Sequence, residues 1–414
     1  MAVFKQKHLL LGVTGSIAAY KAAELASRLT QQGALVDVIL TPAAEKFITP
    51  LTFQSVTGRR AYTDADLWGG EAHVLHVGLG RAADLLLIAP CTANTLARLA
   101  HGLADNLLTV TALAAGGAGT PILLAPAMDA GMYEHPATQA SVRALRERGV
   151  EFAGPAAGRM ASGLSGLGRM LEPVEILGHA RLALARGGPL AGRHLVITAG
   201  GTQEPIDPVR YLTNRSSGKQ GYALALAALE AGAQVTLVTH PTGLGAPVGA
   251  QVVEVRTAQE MLEAVLGALE NADGLIMAAA VADFRVKRVS GHKLKKQDGI
   301  PQIELEAAPD VLGAVARLRP GFSRLKVVVG FAAESQDLLE NAAAKLASKQ
   351  LDLIAANDIS AVDAGFAVET NRLTLLFADG RREALPLMGK DEAAEALLER
   401  VTALMETYAR SRTL

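Results

Sequence analysis

Apolar residues run almost unbroken through "HLLLGV" (8–13), recur every three or four positions through "IAAYKAAELASRLTQQG" (17–33), and run unbroken again through "ALVDVILT" (34–41). A short continuous run bounded by glycine reads as a strand buried on both faces. Three-to-four spacing that stops at a glycine reads as a helix. The unit is therefore βαβ. It recurs at "HLVITAGG" (194–201), "GKQGYALALAALEAG" (218–232) and "AQVTLVTH" (233–240), and "DLLLIAP", "PILLAP", "GLIMAAA", "KVVVGFA" and "LDLIAAND" predict further buried strands. Parallel strands with crossover helices require cover on both sheet faces. Between the halves, "EPVEILGHARLALARGGPLAGRH" predicts a helix from about Pro173 to Arg186 and then a Gly/Pro linker. The expected class is α/β: two doubly wound, Rossmann- or flavodoxin-like domains with mostly parallel sheets, over residues 1–187 and 188–414.

Composition narrows the partners. With 414 residues, half of them hydrophobic and 20% charged, the chain can fill two cores and is a poor candidate for disorder. A formal net charge of -1 gives no polyanion-binding signature, so neither nucleic acid nor an anionic membrane is expected as a partner. The single cysteine, Cys91, excludes an internal disulfide and a cysteine-cluster metal site. The apolar start "MAVFKQKHLLLGVTGSIAAY" is broken by glycines and has no cleavage-type ending, so a buried strand is expected there rather than a leader. A soluble, cytoplasmic protein is the expectation.

A nicotinamide dehydrogenase is the obvious guess for such a fold, and the residues oppose it. "GVTGSIA" lacks the G-x-G-x-x-G spacing, and the second strands end at Thr41 and His240 where an NAD site wants an acidic residue for the ribose.

Polar residues collect instead at expected strand ends: Gly15 and Ser16 at a helix start, "LTPAA" (40–44), "APCTANTLARLAHGLADNLLT" (89–109) and "APAMDAGMYEHPAT" (125–138). Free N–H groups and the helix dipole make such a start an anion seat, though a plain helix cap reads equally well from Gly15 and Ser16 alone. Together these stretches resemble the flavin-dependent cysteine decarboxylases. The resemblance implies FMN contacts at Gly15, Ser16, Ile17, Thr41, Thr92, Ala93, Asn94, Thr95 and Ala127, and a catalytic histidine at His76. His73 and His101 read as structural.

Two positions depart from that family. Its "PAMN" is Pro126–Ala127–Met128–Asp129 here, which exchanges an amide donor for a carboxylate. Its flap cysteine, the donor of the final proton, corresponds to Ser162 in "MASGLSGLGRM" (160–170), and a hydroxyl is a far weaker acid than a thiol. His135 is a candidate replacement donor, with a helix-start role as the plainer reading. Asp129 works as the acid only if protonated or paired. The alternative function is accordingly a working ligase fused to an impaired or rearranged decarboxylase.

In the second half, "NRSSGKQG" ends like a P-loop but has no glycine at the required spacing, and Gln220 stands where a hydroxyl would bind magnesium. With "TAGGTQEPIDPVRYLTNRSSGKQGYALA" (198–225), "MAAAVADFR" (277–285), "HKLKKQ" (292–297), "VVVGFAAES" (327–335) and "LDLIAANDIS" (351–360), this half resembles phosphopantothenate–cysteine ligase. The whole chain resembles the bifunctional coenzyme A biosynthesis family, decarboxylase first. That implies CTP with Mg2+ or Mn2+, an acyl-cytidylate made from 4′-phosphopantothenate, attack by cysteine, and a homo-oligomer.

By the same resemblance Asn214 meets the intermediate and Lys293 is catalytic. Nucleotide contacts fall at Met277, Ala278, Ala279, Asp283, Pro309, Asp310, Val311, Leu312, Phe331, Lys345 and Lys349. Ala308 departs from the family's asparagine before "PD". "KRVSGHKLKKQDG" reads as a mobile loop, "GTQEPIDPVRYL" as a long irregular connection, and Arg210 as either a phosphate ligand or a subunit contact. Lys345 and Lys349 are four apart and share a helix face. The metal ligands are not legible.

Overall fold

Strand, helix and strand alternate from the start of the chain, as the apolar pattern predicts. The computed structural model describes residues 3–69, 74–334, 336–358 and 370–411, and the chain divides into units at 2–186 and 187–414.

In the first unit, β1 (His8–Val13), α1 (Ala19–Gln31) and β2 (Leu35–Leu40) form the opening βαβ. There follow α2 (Pro50–Thr57), β3 (Ala61–Tyr62), α3 (Leu75–Ala82), β4 (Leu85–Cys91), α4 (Ala93–His101) and α5 (Leu107–Gly117). The unit ends with β5 (Ile122–Pro126), α6 (Ala130–Glu134), α7 (Pro136–Glu147), β6 (Glu151–Phe152), the hairpin β7 (Ala156–Arg159) and β8 (Ser165–Arg169), and α8 (Pro173–Ala185). The sheet order is β3-β2-β1-β4-β5-β6, and its pairs are parallel. Every residue of β4 is buried because helices cover both faces. Leu25 and Leu29 of α1 and Phe53 of α2 pack on one face, and Leu96, Leu108 and Val142 on the other. The strand order reverses between β1 and β4, which opens a crevice at their carboxyl ends.

The second unit repeats the plan. Its elements begin with β9 (His194–Ala199), the hairpin β10 (Gln203–Pro205) and β11 (Tyr211–Thr213), α9 (Lys219–Glu230), β12 (Gln234–Thr239), β13 (Ala250–Glu254), α10 (Ala258–Leu269) and β14 (Gly274–Met277). A second hairpin, β15 (Phe284–Val286) and β16 (Leu305–Ala307), precedes α11 (Val311–Leu318), β17 (Val327–Glu334), α12 (Leu338–Ser348) and β18 (Leu353–Asp358). The unit closes with β19 (Thr370–Asn371), β20 (Leu373–Phe377), β21 (Arg382–Ala384), β22 (Met388–Gly389) and α13 (Lys390–Ser411). The main sheet runs β13-β12-β9-β14-β17-β18-β20-β21, parallel up to β18 and antiparallel beyond. Its reversal lies between β9 and β14.

One expectation needs correction. The connection "GTQEPIDPVRYL" is not irregular: Gln203 to Pro205 pairs antiparallel with Tyr211 to Thr213. The turn between them is closed by the Asp207 carboxylate, which accepts from the Val209 and Arg210 N–H groups at 2.8 and 2.9 Å. Pro205 is tolerated because a short edge strand can spare an N–H. The lysine-rich stretch is the connection of the β15–β16 hairpin and contains one 3-10 turn, Lys296–Asp298. Among the described residues no helix is long and apolar enough to cross a membrane. His73 lies outside the described residues.

Candidate functional site

In the first unit a cavity of about 620 Å³ opens at the β1/β4 reversal. Buried Thr14 fastens the two strand ends together: its hydroxyl donates to the Pro90 carbonyl at 2.7 Å and accepts from the Thr92 N–H at 3.2 Å. Gly15 and Ser16 lead into α1, and a Cβ at Gly15 would come within 2.4 Å of Ala43 Cβ. Thr41 fixes the neighbouring loop by accepting from the Ala44 N–H at 3.3 Å. Thr92 caps α4 through the Thr95 N–H, also at 3.3 Å. Of the expected flavin contacts, Gly15, Ser16, Thr41, Thr92, Ala93, Asn94, Thr95 and Ala127 line the cavity. Ile17 does not, and is 62% exposed.

Residues without a motif complete the wall: Asp64, Arg98, Asp105, Asn106, Met128 and Met132. Burial pushes the Asp64 carboxyl up, and the nearby Asp105 charge adds to it against the Leu107 N–H. His76 begins α3 and is not part of the lining.

Asp129 and Ser162 stand beside this cavity rather than in its wall. Ser162 lies in the turn of the β7–β8 hairpin and donates to Asp129 Oδ2 at 2.6 Å. Asp129 also accepts from the Gly131 N–H at 3.1 Å. The Met128 N–H donates to the Gly168 carbonyl at 3.0 Å, and a Cβ at Gly168 would meet the Met128 carbonyl oxygen at 2.4 Å. His135 Nδ1 accepts from the Ala137 N–H at 3.2 Å at the start of α7, the plainer of its two readings.

In the second unit a cavity of about 570 Å³ opens at the β9/β14 reversal. Ser216, Ser217 and Gly218 bring the chain into α9, with Gly218 at φ +76°, a conformation L side chains rarely adopt. A Cβ there would also meet Thr242 Cγ2 at 2.7 Å. Asn214 donates through Nδ2 to the Val281 carbonyl at 2.9 Å, which fixes its amide against the opposite wall. Met277, Ala278, Ala279, Asp283, Pro309, Asp310, Val311, Leu312, Phe331, Lys345 and Lys349 all line this space.

Lys345 Nζ donates to the Phe331 carbonyl at 2.8 Å, and Lys349 is ion-paired with Asp310. Burial pushes the Asp310 carboxyl up, but Lys349 and the Gly313 N–H outweigh it and hold the group below its ordinary value. Lys293 is exposed on the β15–β16 connection and is not part of the lining. Among the described residues no group of three or more His, Cys, Asp or Glu gathers to hold a metal ion.

Known proteins match both halves. Residues 190–405 match the family described as DNA/pantothenate metabolism flavoprotein C-terminal domain, and residues 3–181 match the family described as Flavoprotein. The coenzyme A biosynthesis bifunctional protein CoaBC of Bacillus subtilis (strain 168) is 44% identical, over 97% of this chain and 98% of that protein. The CoaBC protein of Mycobacterium tuberculosis (strain ATCC 25618 / H37Rv) is also 44% identical, over 96% and 97%.

The chain belongs to the bifunctional coenzyme A biosynthesis family. It is an enzyme of that pathway with decarboxylase and ligase roles. Among solved structures, the C-terminal domain of a CoaBC protein is 39% identical, with a TM-score of 0.46 over 53% of this chain and 100% of that one.

Motif reading missed part of the wall of the second cavity. Gln220, Asn357, Asn371 and Lys390 also line it. Asn371 donates to Gln220 Oε1 at 2.6 Å, and Asn357 donates to Asn371 Oδ1 at 3.3 Å. Asn357 Oδ1 is buried with no hydrogen-bond partner among the described residues, an acceptor left in the wall. The polar end of "LIAAND" was the one hint, since a buried strand that ends in Asn needs a partner for it.

Proposed function

We propose that the second unit joins cysteine to 4′-phosphopantothenate using CTP, and that the first unit then decarboxylates the product to 4′-phosphopantetheine with FMN. The observation that carries the ligase reading is convergence. All the expected nucleotide contacts except Lys293 line one cavity with Asn214 and the start of α9.

In the first step a carboxylate oxygen of 4′-phosphopantothenate attacks the α-phosphorus of CTP, and the bond to pyrophosphate breaks. The cysteine amine then attacks the acyl carbon of the acyl-cytidylate, and CMP leaves. The free N–H groups at the start of α9, with Ser216 and Ser217, suit phosphate oxygens. Asn214 keeps its carbonyl oxygen and one N–H for the acyl phosphate, without adding charge. Lys293 approaches on its loop as charge builds on the leaving pyrophosphate. Magnesium or manganese arrives with the triphosphate. Such ions take one or two carboxylates plus phosphate oxygens, and Asp283 is suited to that part.

The first cavity fits FMN. Its glycine cradle at Gly15 would be filled by a single Cβ, and the hydroxyl residues Ser16, Thr41 and Thr92 line the space. Bound FMN supplies a two-electron sink that makes loss of carbon dioxide feasible. Ser16 and the start of α1 hold the cofactor's phosphate, and His76 takes the thiol proton. Ser162, held by its hydrogen bond to Asp129, stands at the position from which the family's flap residue returns the final proton.

His76 is not among the residues lining the cavity of its own chain, while Trp68 and Val74, near it in sequence, are 89% and 59% exposed. A homo-oligomer in which His76 serves a neighbouring copy accounts for both. One preparation tests the scheme: phosphopantothenate, cysteine and CTP should release pyrophosphate, and carbon dioxide should follow only while flavin is bound. Product without nucleotide would defeat the ligase reading, and carbon dioxide from stripped protein would defeat the decarboxylase reading.

A further inference from the structure

Lys293 is exposed, yet both backbone polar groups of the next residue are held. The Leu294 N–H donates to Asp207 Oδ2 at 3.2 Å, and the Leu294 carbonyl accepts from Arg210 Nη2 at 2.7 Å. Four residues earlier, the Ser290 N–H donates to the Ile206 carbonyl at 3.0 Å. The lysine-bearing connection is thus fastened twice to the turn of the β10–β11 hairpin, an element that lies far from it in sequence.

Asp207 is built for this. Its side chain is fully buried. Oδ1 accepts the Val209 and Arg210 N–H groups, and Oδ2 accepts Arg210 Nε at 2.9 Å, Arg210 Nη2 and the Leu294 N–H. The Arg210 guanidinium holds this carboxyl far below its ordinary range. Closing the turn requires only the two N–H groups of residues 209 and 210. Oδ2 is spent on the Arg210 side chain and directly on the Leu294 N–H, and Arg210 in turn holds the Leu294 carbonyl.

We propose that Asp207, with Arg210, is a positioning residue for ligation: it sets where the Lys293 ammonium can go. Adjacent Cα atoms are about 3.8 Å apart, so a fixed Leu294 confines the Lys293 backbone to a small arc and leaves the side chain to cover the rest. An untethered connection between Val286 and Leu305 would spread the ammonium over a much larger volume. This reading rests on the catalytic part assigned to Lys293 above, and the two are separable.

Leu294→Pro removes the tethering N–H and leaves the Asp207–Arg210 turn whole. Full-length protein carrying Leu294→Pro or Asp207→Asn is compared with Lys293→Ala and the parent for ligase kcat, for KM of CTP, and for the rate of tryptic cleavage after Lys295 and Lys296, the two sites that every variant keeps. Both tether variants should be cut severalfold faster without substrates. Their kcat should fall on the order of 10- to 100-fold, with KM for CTP nearly unchanged, as misplacement of a catalytic group costs.

Unchanged cleavage in Leu294→Pro overturns the tether. Faster cleavage at unchanged kcat overturns the positioning role. Parent-like kcat in Lys293→Ala removes the role of the lysine itself while the cleavage result still judges the tether. Asp207→Asn alone can loosen the whole hairpin, and the proline variant guards against that.

Discussion

Ser162 donates its hydroxyl to Asp129 Oδ2 at 2.6 Å, so the two positions at which this chain departs from the decarboxylase pattern are bonded to each other. Neither substitution is simple on its own. A carboxylate in place of the amide would repel an acid substrate, and a hydroxyl in place of a thiol would be a poor acid. Joined, the hydroxyl satisfies one oxygen of the carboxylate, and the carboxylate fixes where the hydroxyl points.

Ser162→Ala and Asp129→Asn should therefore fail alike. Each should slow carbon dioxide release on the order of 10- to 100-fold, the usual worth of a positioned acid, with flavin content unchanged. Parent rates in both would sink the pair as the acid. His135→Ala should instead leave the rate alone, since its ring is engaged in capping α7; its cost should be a loss of roughly 1 kcal/mol in denaturant titration.

Flavin binding should be the most brittle property of the first unit. Gly15→Ala places a methyl group 2.4 Å from Ala43 Cβ, and the loop after β2 must move into the cavity or away from it. Purified variant should be colourless and should not recover absorbance with added FMN, while ligation by the second unit continues. A yellow protein with full occupancy would show that the cavity wall yields.

Asn214→Asp tests the ligase wall by changing one atom. The Nδ2 donor to the Val281 carbonyl becomes an oxygen facing an oxygen, and a charge is added where the proposed scheme seats the acyl phosphate. Ligase kcat should drop by more than about tenfold, with carbon dioxide release from supplied phosphopantothenoylcysteine untouched.

Acid should unfold the second unit in part through Asp273. Its side chain is only 3% exposed and is paired with Arg193, Arg324 and Lys326. Burial pushes the carboxyl up, but the His194 N–H and Arg324 outweigh it and hold the group below its ordinary value. A depressed carboxyl contributes stability that is fully present above the unfolded value, about 3.9, and is lost as pH falls through the folded one. Asp273→Asn should cost about 3 kcal/mol near neutrality, because three cations lose their partner. It should also flatten the acid limb of a stability–pH curve. A variant with the parent's acid limb would remove Asp273 from the cause.

The βαβ plan was legible because buried parallel strands are continuous apolar runs, and "DLLLIAP" or "KVVVGFA" can hardly be anything else. Cavity residues that follow a strand directly, such as Thr92 and Ala127, were legible for the same reason: strand ends are where such sheets bind. Gln220, Asn371 and Lys390 were not, because a helix, a short strand and a distant helix bring them together through tertiary packing. The β10–β11 hairpin escaped because its order comes from one buried carboxylate, Asp207, and not from any alternation of apolar and polar side chains. His76 and Lys293 have the reverse problem. Their sequence context marks them, while the fold of one chain leaves both outside the cavities they are expected to serve.

The β7–β8 hairpin meets the loop after β5 through main chain: the Gly168 carbonyl takes the Met128 N–H, and the missing side chain at Gly168 lets the backbones touch. A hairpin seated through main chain at Gly168 depends little on the side chains of its turn. Residue 162 can therefore be exchanged without losing that seat, so this hairpin is a place where new proton chemistry can be tried on an unchanged scaffold.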